Sequence, residues 1–333
     1  MEEGKATFMR DIGEKEFLSK IFQYVDTPLL EFNDDASAIE LPSGEILVIN
    51  VDMLVQGTDV LPGMAPFQIG MKAVTMAVSD IVAKGVKPVG CLASVGFSSK
   101  MNVVEAEEII QGIKKQCTSY DCLFLGGDLN ESKETIVDIV SFGTCSKTKL
   151  IPRKGAISGD LIYSTGLFGL TSLGFEMLLE GRKIETALQI KILEAVYEPS
   201  ARNEFLAILQ NLPIKICMDS SDGLLVTLND LSTINDLGIN ITTLPLHPEI
   251  KEFAEKNELN PLDLTFKGGE EFELIFAVSP ETKQILESKT KELGLIVYHL
   301  GIFDSNIKGM KITDPSYSNL KLPKNGYEHF KNK

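Results

Sequence analysis

A chain of 333 residues with 44% hydrophobic and 24% charged content has the composition of a folded globular protein and is long enough for two cores. Its net charge of −15 disfavours nonspecific binding to nucleic acid or an anionic membrane, but permits a polyphosphate ligand whose charge Mg²⁺ bridges. No apolar run approaches the roughly 20 residues of a membrane-spanning helix, and the opening Met1-Glu2-Glu3-Gly4-Lys5 lacks the apolar core of a signal peptide. A cytoplasmic protein is expected, with no nucleic acid and no membrane as partner. The five cysteines, Cys91, Cys117, Cys122, Cys145 and Cys217, are odd in number and form no C-x-x-C pair. They are expected to be buried or inert thiols in a reducing compartment.

Glu14 to Val25 has helical spacing, and Ile39–Leu41 and Ile46–Asp52 are strands joined by a Pro42-Ser43-Gly44 turn. Pro66 to Lys84 is a long helix, opened by proline and closed by Gly85, and rich enough in Ala, Met and Val to be mostly buried. A strand Val89–Phe97, an amphipathic helix Val103–Tyr120, and strands Cys122–Leu125 and Thr135–Cys145 follow. Pro152-Arg153-Lys154-Gly155-Ala156 is a plausible joint, dividing the chain into domains 1–150 and 151–333. Beyond it lie a strand Leu161–Thr165, a glycine turn, a helix to Glu180, a helix Ser200–Gln210 and a strand Ile214–Met218. A helix Leu224–Leu237, a strand Phe272–Val278, a helix Pro280–Leu293 and a strand Leu295–Ile302 complete the second half. Strands and helices mix without clean βαβ alternation, which predicts an α+β fold rather than a doubly wound sheet.

The P-loop, protein-kinase, dinucleotide-binding, zinc-hydrolase and G-x-S-x-G signatures are all absent. Aspartates instead recur where hydrophobic elements end. Asp34-Asp35 precedes a strand, Asp52 follows one, Asp80 sits among apolar helix residues, Asp128 follows Gly126-Gly127, and Asp219-Ser220-Ser221-Asp222-Gly223 ends another strand. Each of these alone fits a turn or a strand end. Asp80 is the least ordinary, because a carboxylate amid Ala77, Val78, Ile81 and Val82 needs a partner, a metal or a broken helix to cap. Together they either lie apart or gather around hard cations, since like charges about 4 Å apart cost on the order of 4 kcal/mol at an effective dielectric near 20. Hard cations beside glycine turns point to phosphate chemistry.

These segments, in this order, resemble the thiamine-monophosphate kinase family, within the superfamily that includes aminoimidazole ribonucleotide synthetase. The resemblance runs from Asp34 to Phe330. It is carried by Asp34-Asp35-Ala36, Val51-Asp52-Met53, Ser79-Asp80-Ile81, Gly126-Gly127-Asp128, Arg153-Lys154-Gly155, Asp219-Ser220-Ser221-Asp222, Gly268-Gly269-Glu270-Glu271-Phe272 and Gly326-Tyr327-Glu328-His329-Phe330. It implies two α+β domains of the aminoimidazole ribonucleotide synthetase-like fold, with the N-terminal one pairing in a homodimer. It implies ATP-dependent phosphorylation of thiamine monophosphate to thiamine diphosphate by direct in-line transfer, with several Mg²⁺ ions and no general base. Asp34, Asp52, Asp80, Asp128, Asp219 and Asp222 match the family's metal ligands, and Asn50 lies where an oxygen could complete a metal shell. Gly127, Asp128, Arg153 and Ser221 match nucleotide contacts; Asp59, Glu271 and Tyr327 fall at substrate positions. Asp59-Val60 stands where the family commonly has His-Phe, and Glu271-Phe272 where it has Asp-Tyr. Two other readings therefore stay open: a related ATP-dependent enzyme with a different acceptor, and a non-catalytic nucleotide-binding regulator.

Overall fold

Strands whose apolar residues alternate build two sheets in this computed structural model, which describes residues 7–27, 29–31, 33–323, 326 and 329–330. The first contains β1 (Ser37–Glu40), β2 (Ile46–Val55), β3 (Gly90–Phe97), β4 (Leu123–Glu131) and β5 (Ile136–Cys145), in the order β1-β2-β5-β3-β4. Only β3 and β4 run parallel, and the helix Val103–Ser119 is the crossover that a parallel pair requires. The second contains β6 (Leu161–Ser164), β7 (Ile214–Ser220), β8 (Gly238–Ile241), β9 (Glu273–Val278), β10 (Tyr298–Asp304) and β11 (Met310–Ile312), in the order β11-β8-β10-β6-β9-β7. There β8 and β11 are the parallel pair. Two mixed sheets are the expected α+β architecture.

Ile46, Val48 and Leu54 of β2, Val137 and Ile139 of β5, and Cys91 and Ala93 of β3 bury one face of the first sheet. The opposite face is apolar and open: Val51 is 63% exposed and Met53 51%.

The helix Pro66–Ala83 is the link between the sheets. Its Val74, Ala77 and Val78 share one core with Leu54 and Ile139 of the first sheet and with Tyr163, Cys217, Leu274 and Phe276 of the second. A helix packed on both sides must be apolar nearly all round, so the charges it does carry, Lys72, Asp80 and the C-terminal Lys84, are confined to the site. Ser79 and Asp80 do not break it.

Three expectations shift. The segment expected as a helix from Ser200 has only a 3₁₀ turn Asn203–Phe205 and one α turn Leu206–Leu209, and Ala201 N–H before them donates to Tyr120 Oη. The last long strand is Tyr298–Asp304, its register set by pairing to β6 and β8. The glycines after Leu125 do not end a strand: β4 continues through them to Glu131, with a bulge opposite Cys91–Ala93. Helices Thr186–Tyr197, Pro248–Lys256 and Pro261–Phe266 were not foreseen.

Candidate active site

The turn before β1 is clamped by two cations. Lys84, fully buried at the end of the linking helix, places Nζ 2.5 Å from Asp34 Oδ1 and 2.5 Å from Asp35 Oδ2, and donates to the Cys217 carbonyl at 3.0 Å. Arg153 donates its backbone N–H to Asp34 Oδ2 at 3.0 Å and its Nε–H to Asp35 Oδ1 at 2.9 Å. Burial opposes ionisation of Asp35, yet Arg153 and Lys84 together hold its carboxyl below the ordinary range. Burial likewise opposes the charge on Lys84, and Asp34 and Asp35 overcome it, raising the ammonium pKa.

Asp35 also belongs to a second set of carboxylates, whose other members have no such clamp among the described residues. Carboxylate oxygens of Asp35, Asp80 and Asp219 lie within 4.8 Å of one another. Asn50 Nδ2 donates to Asp80 Oδ2 at 2.9 Å, and Ser79 Oγ to Asp219 Oδ2 at 2.6 Å. Burial, then the charge of neighbouring carboxylates, pushes Asp219 up to about 7 and Asp80 well above the ordinary value. Asp52 is pushed up to about 7, chiefly by burial, with Asp59 and Asp222 adding repulsion. Asp222 is raised mainly by burial. Asn50 Oδ1 and Asp219 Oδ1 are buried and accept no hydrogen bond among the described residues. Unpaired oxygen acceptors among mutually repelling carboxylates are the donor set a hard divalent cation requires, so these residues fit Mg²⁺.

Two glycines allow backbone approaches that a side chain would forbid. A Cβ on Gly127 would lie 1.7 Å from the Ala93 carbonyl oxygen, so β4 can only lie against β3 there without one. Asp128 follows in register with Ser94, exposed and outside the Asp35–Asp80–Asp219 group. Gly223 has φ +91°, and its Cβ would lie 1.6 Å from Gly268 O. This contact brings the Ser221–Gly223 loop onto the Gly268–Glu271 loop, where Glu270 N–H donates to Ser221 O at 2.6 Å. Glu270 and Phe272 both take positive φ, 63° and 51°, a conformation uncommon for non-glycine residues.

The acidic pair of that loop diverges. Glu270 pairs with buried Lys72 at 2.5 Å, and Lys72 also donates to Asp59 O at 2.6 Å. Glu271 accepts from Thr171 Oγ1 at 2.5 Å, and burial pushes its carboxyl up to about 8. The Asp59 carboxylate accepts from Val55 N–H at 2.6 Å and Thr58 Oγ1 at 3.0 Å, which holds the one-turn helix Gln56–Asp59 on the end of β2. Tyr327 lies outside the described residues.

A cavity of about 920 Å³ opens beside the acidic group, lined by Arg153, Ser221 and Asp222 and by Glu14, Lys15 and Leu18 of the helix Met9–Ile21. Arg153 and Ser221 thus meet in one cavity that Gly127 does not line. Asp35, Lys72, Lys84 and the Met9–Ile21 helix are parts of the site that were not foreseen. Lys72 carries the same signal as Asp80, a charge among apolar helix residues, and could have been found by it. The Met9–Ile21 helix was foreseen in part, by the helical spacing from Glu14 to Val25, but being polar and mostly exposed it gave no sign of a place at the site.

Residues 33–145 match the model of the AIR synthase related protein, N-terminal domain. A solved protein of Thermus thermophilus superposes with a TM-score of 0.84 at 29% identity, covering 95% of this chain and all (100%) of that one. The solved AaThiL complex with AMPPCP and TMP superposes with a TM-score of 0.83 at 24% identity, covering 97% and 99% of the two chains, a likeness of fold. The fold is therefore that of the AIR synthase related class. Thiamine-monophosphate kinase of Nitrosopumilus maritimus is 34% identical over 285 residues, 86% of this chain and 89% of the relative. The chain belongs to the thiamine-monophosphate kinase family, a family of enzymes.

Proposed function

We propose that the protein transfers the γ-phosphoryl group of ATP to thiamine monophosphate, giving thiamine diphosphate and ADP. The observation that carries this reading is the convergence of Asp35, Asp80 and Asp219 oxygens beside a cavity of about 920 Å³ lined by Arg153 and Ser221. The kinase name of the relative 34% identical to the chain supports the acceptor. Asp34, Asn50, Asp52, Asp80, Asp128, Asp219 and Asp222 are assigned to hold several Mg²⁺ ions, and Asp35 joins them. Bound Mg²⁺ would offset the charge of the phosphate oxygens and of the carboxylates. Gly127, Asp128, Arg153 and Ser221 are assigned to the nucleotide; Asp59, Glu271 and Tyr327 to the acceptor, with Tyr327 suited to stack on an aromatic ring.

The step is in-line. An acceptor phosphate oxygen forms a bond to the γ-phosphorus as the bond to the β,γ-bridging oxygen breaks, and its electron pair leaves with ADP. A phosphate monoester has a second pKa near 6, so the attacking oxygen is already anionic at neutral pH and no side chain need remove a proton. The role left to the chain is positioning and charge.

Residues 1–150 and 151–333 are proposed as two domains that share the site, and the protein as a cytoplasmic homodimer. The open apolar face carrying Ile39, Val51, Met53 and Leu92 supports pairing through the first sheet. Light scattering on the wild type and on Val51→Asp, which should weaken the dimer, tests it. Because Asp59 and Glu271 depart from the family pattern, and Asp59 is engaged by Val55 N–H, a different acceptor is the second reading.

The test is turnover with ATP, Mg²⁺ and thiamine monophosphate, quantifying both products. Equal amounts of thiamine diphosphate and ADP, abolished by EDTA, are expected. ADP alone would transfer support to another acceptor. Nucleotide binding without either product would favour a regulator.

A further inference from the structure

We propose that Cys91, Cys117 and Cys122, with Ser141, form a closed Zn²⁺ site in the first sheet, separate from the acidic site. The sulfurs of these three cysteines lie within 4.8 Å of one another, and Cys91 Sγ is 3.5 Å from Cys122 Sγ. With Zn–S bonds near 2.3 Å, a tetrahedral centre places sulfurs about 3.8 Å apart, so small side-chain movements suffice. All three are buried, and none is in a disulfide. No C-x-x-C spacing announces the site, because the ligands come from three elements: β3, the end of the Val103–Ser119 helix and the turn entering β4.

The fourth donor is an independent observation. Ser141 on β5 stands in register with Cys91 on β3. Its hydroxyl is wholly buried and meets no hydrogen-bond partner among the described residues. A closed set of three sulfurs and one hydroxyl, with no histidine or open position, suits a structural rather than a catalytic zinc. Binding would release the thiol protons to solvent as the Zn–S bonds form; no oxidant or reductant takes part. The ion would brace β4, an edge strand and the bearer of Gly127 and Asp128, against β3 and the crossover helix.

The experiment uses full-length protein purified under reductant. One zinc per chain by elemental analysis is expected, surviving gel filtration, and Co²⁺ substitution should give the sulfur-to-cobalt charge-transfer band that a carboxylate site cannot produce. Cys91→Ser and Cys122→Ser should each abolish that band, while Cys145→Ser keeps it. Should these variants fail to fold, Zn²⁺ titration of metal-free wild type decides: the melting temperature should rise at one equivalent of Zn²⁺ and stay unmoved by Mg²⁺ at that concentration. No stoichiometric zinc and no band, or a Cys91–Cys122 disulfide by mass spectrometry of alkylated protein, overturns the proposal. None of these readouts depends on kinase turnover.

Discussion

Asp34 and Asp35 meet two buried cations, Lys84 and Arg153, whereas among the described residues no lysine or arginine salt bridge reaches Asp52, Asp80 or Asp219. The two groups adjoin, since Asp35 also shares an oxygen cluster with Asp80 and Asp219. Their carboxyls are driven in opposite directions. Asp35 is held below the ordinary value, while Asp52 and Asp219 are pushed up to about 7. The first pair is neutralised from within and pins the turn before β1 to the linking helix. The second set is left for a cation from solution. The difference separates carboxylates whose charge the protein's own cations answer from carboxylates it leaves without one.

Substitutions should separate the groups in the same way. Asp219→Asn is expected to lower turnover about a thousandfold or more at saturating Mg²⁺, since several kcal/mol of charge stabilisation is lost. The metal-free variant should melt no lower than wild type, because a buried repulsion has been removed. Near-normal turnover would break the comparison, and so would a large loss of stability. Lys84→Met should do the reverse. It leaves two buried carboxylates short of a partner, and breaking such a pair costs roughly 3–5 kcal/mol, read as a lower urea midpoint with or without Mg²⁺. A cost below about 1 kcal/mol would mean that Arg153 alone neutralises the turn.

Mg²⁺ itself should stabilise the wild type by about 2.7 kcal/mol at a hundred times its dissociation constant, and Asp219→Asn by distinctly less. A further effect is in pH. The folded carboxyls of Asp52 and Asp219 titrate near 7, above the ordinary 3.8. Protonated groups suit the metal-free fold, so its stability is full below about pH 4 and falls as pH rises through about 7. Mg²⁺ should flatten that fall, because it takes the place of the protons. Denaturant melts from pH 4 to 8, with Mg²⁺ and with EDTA, measure both slopes; identical slopes would count against cation binding at these residues.

Much of the fold was legible in the sequence. Proline at the start and Gly85 at the end bound the Pro66–Ala83 helix, and alternation of apolar residues located β2, β3 and β5, because these signals act over a few neighbouring residues. The aspartates at element ends were equally legible, since a carboxylate beside an apolar run is improbable unless something meets it. The continuation of β4 through Gly126 and Gly127 was not, because glycine marks a turn and a close strand contact alike, and only the carbonyl of Ala93 decides between them.

The sequence by itself determined that the fold is α+β and that aspartates and glycines punctuate the ends of its apolar elements; whether those aspartates lie apart or gather it left open. Tertiary structure alone decided which charges are answered. Lys84 reaches Asp34 across 50 residues, Arg153 reaches Asp35 across 118, and Ser79 reaches Asp219 across 140. It also brought Cys91, Cys117 and Cys122 together without any spacing motif. The reason is physical: helix and strand periods are local properties of the chain, whereas the partner of a buried charge or thiol is set by which elements pack across the shared core.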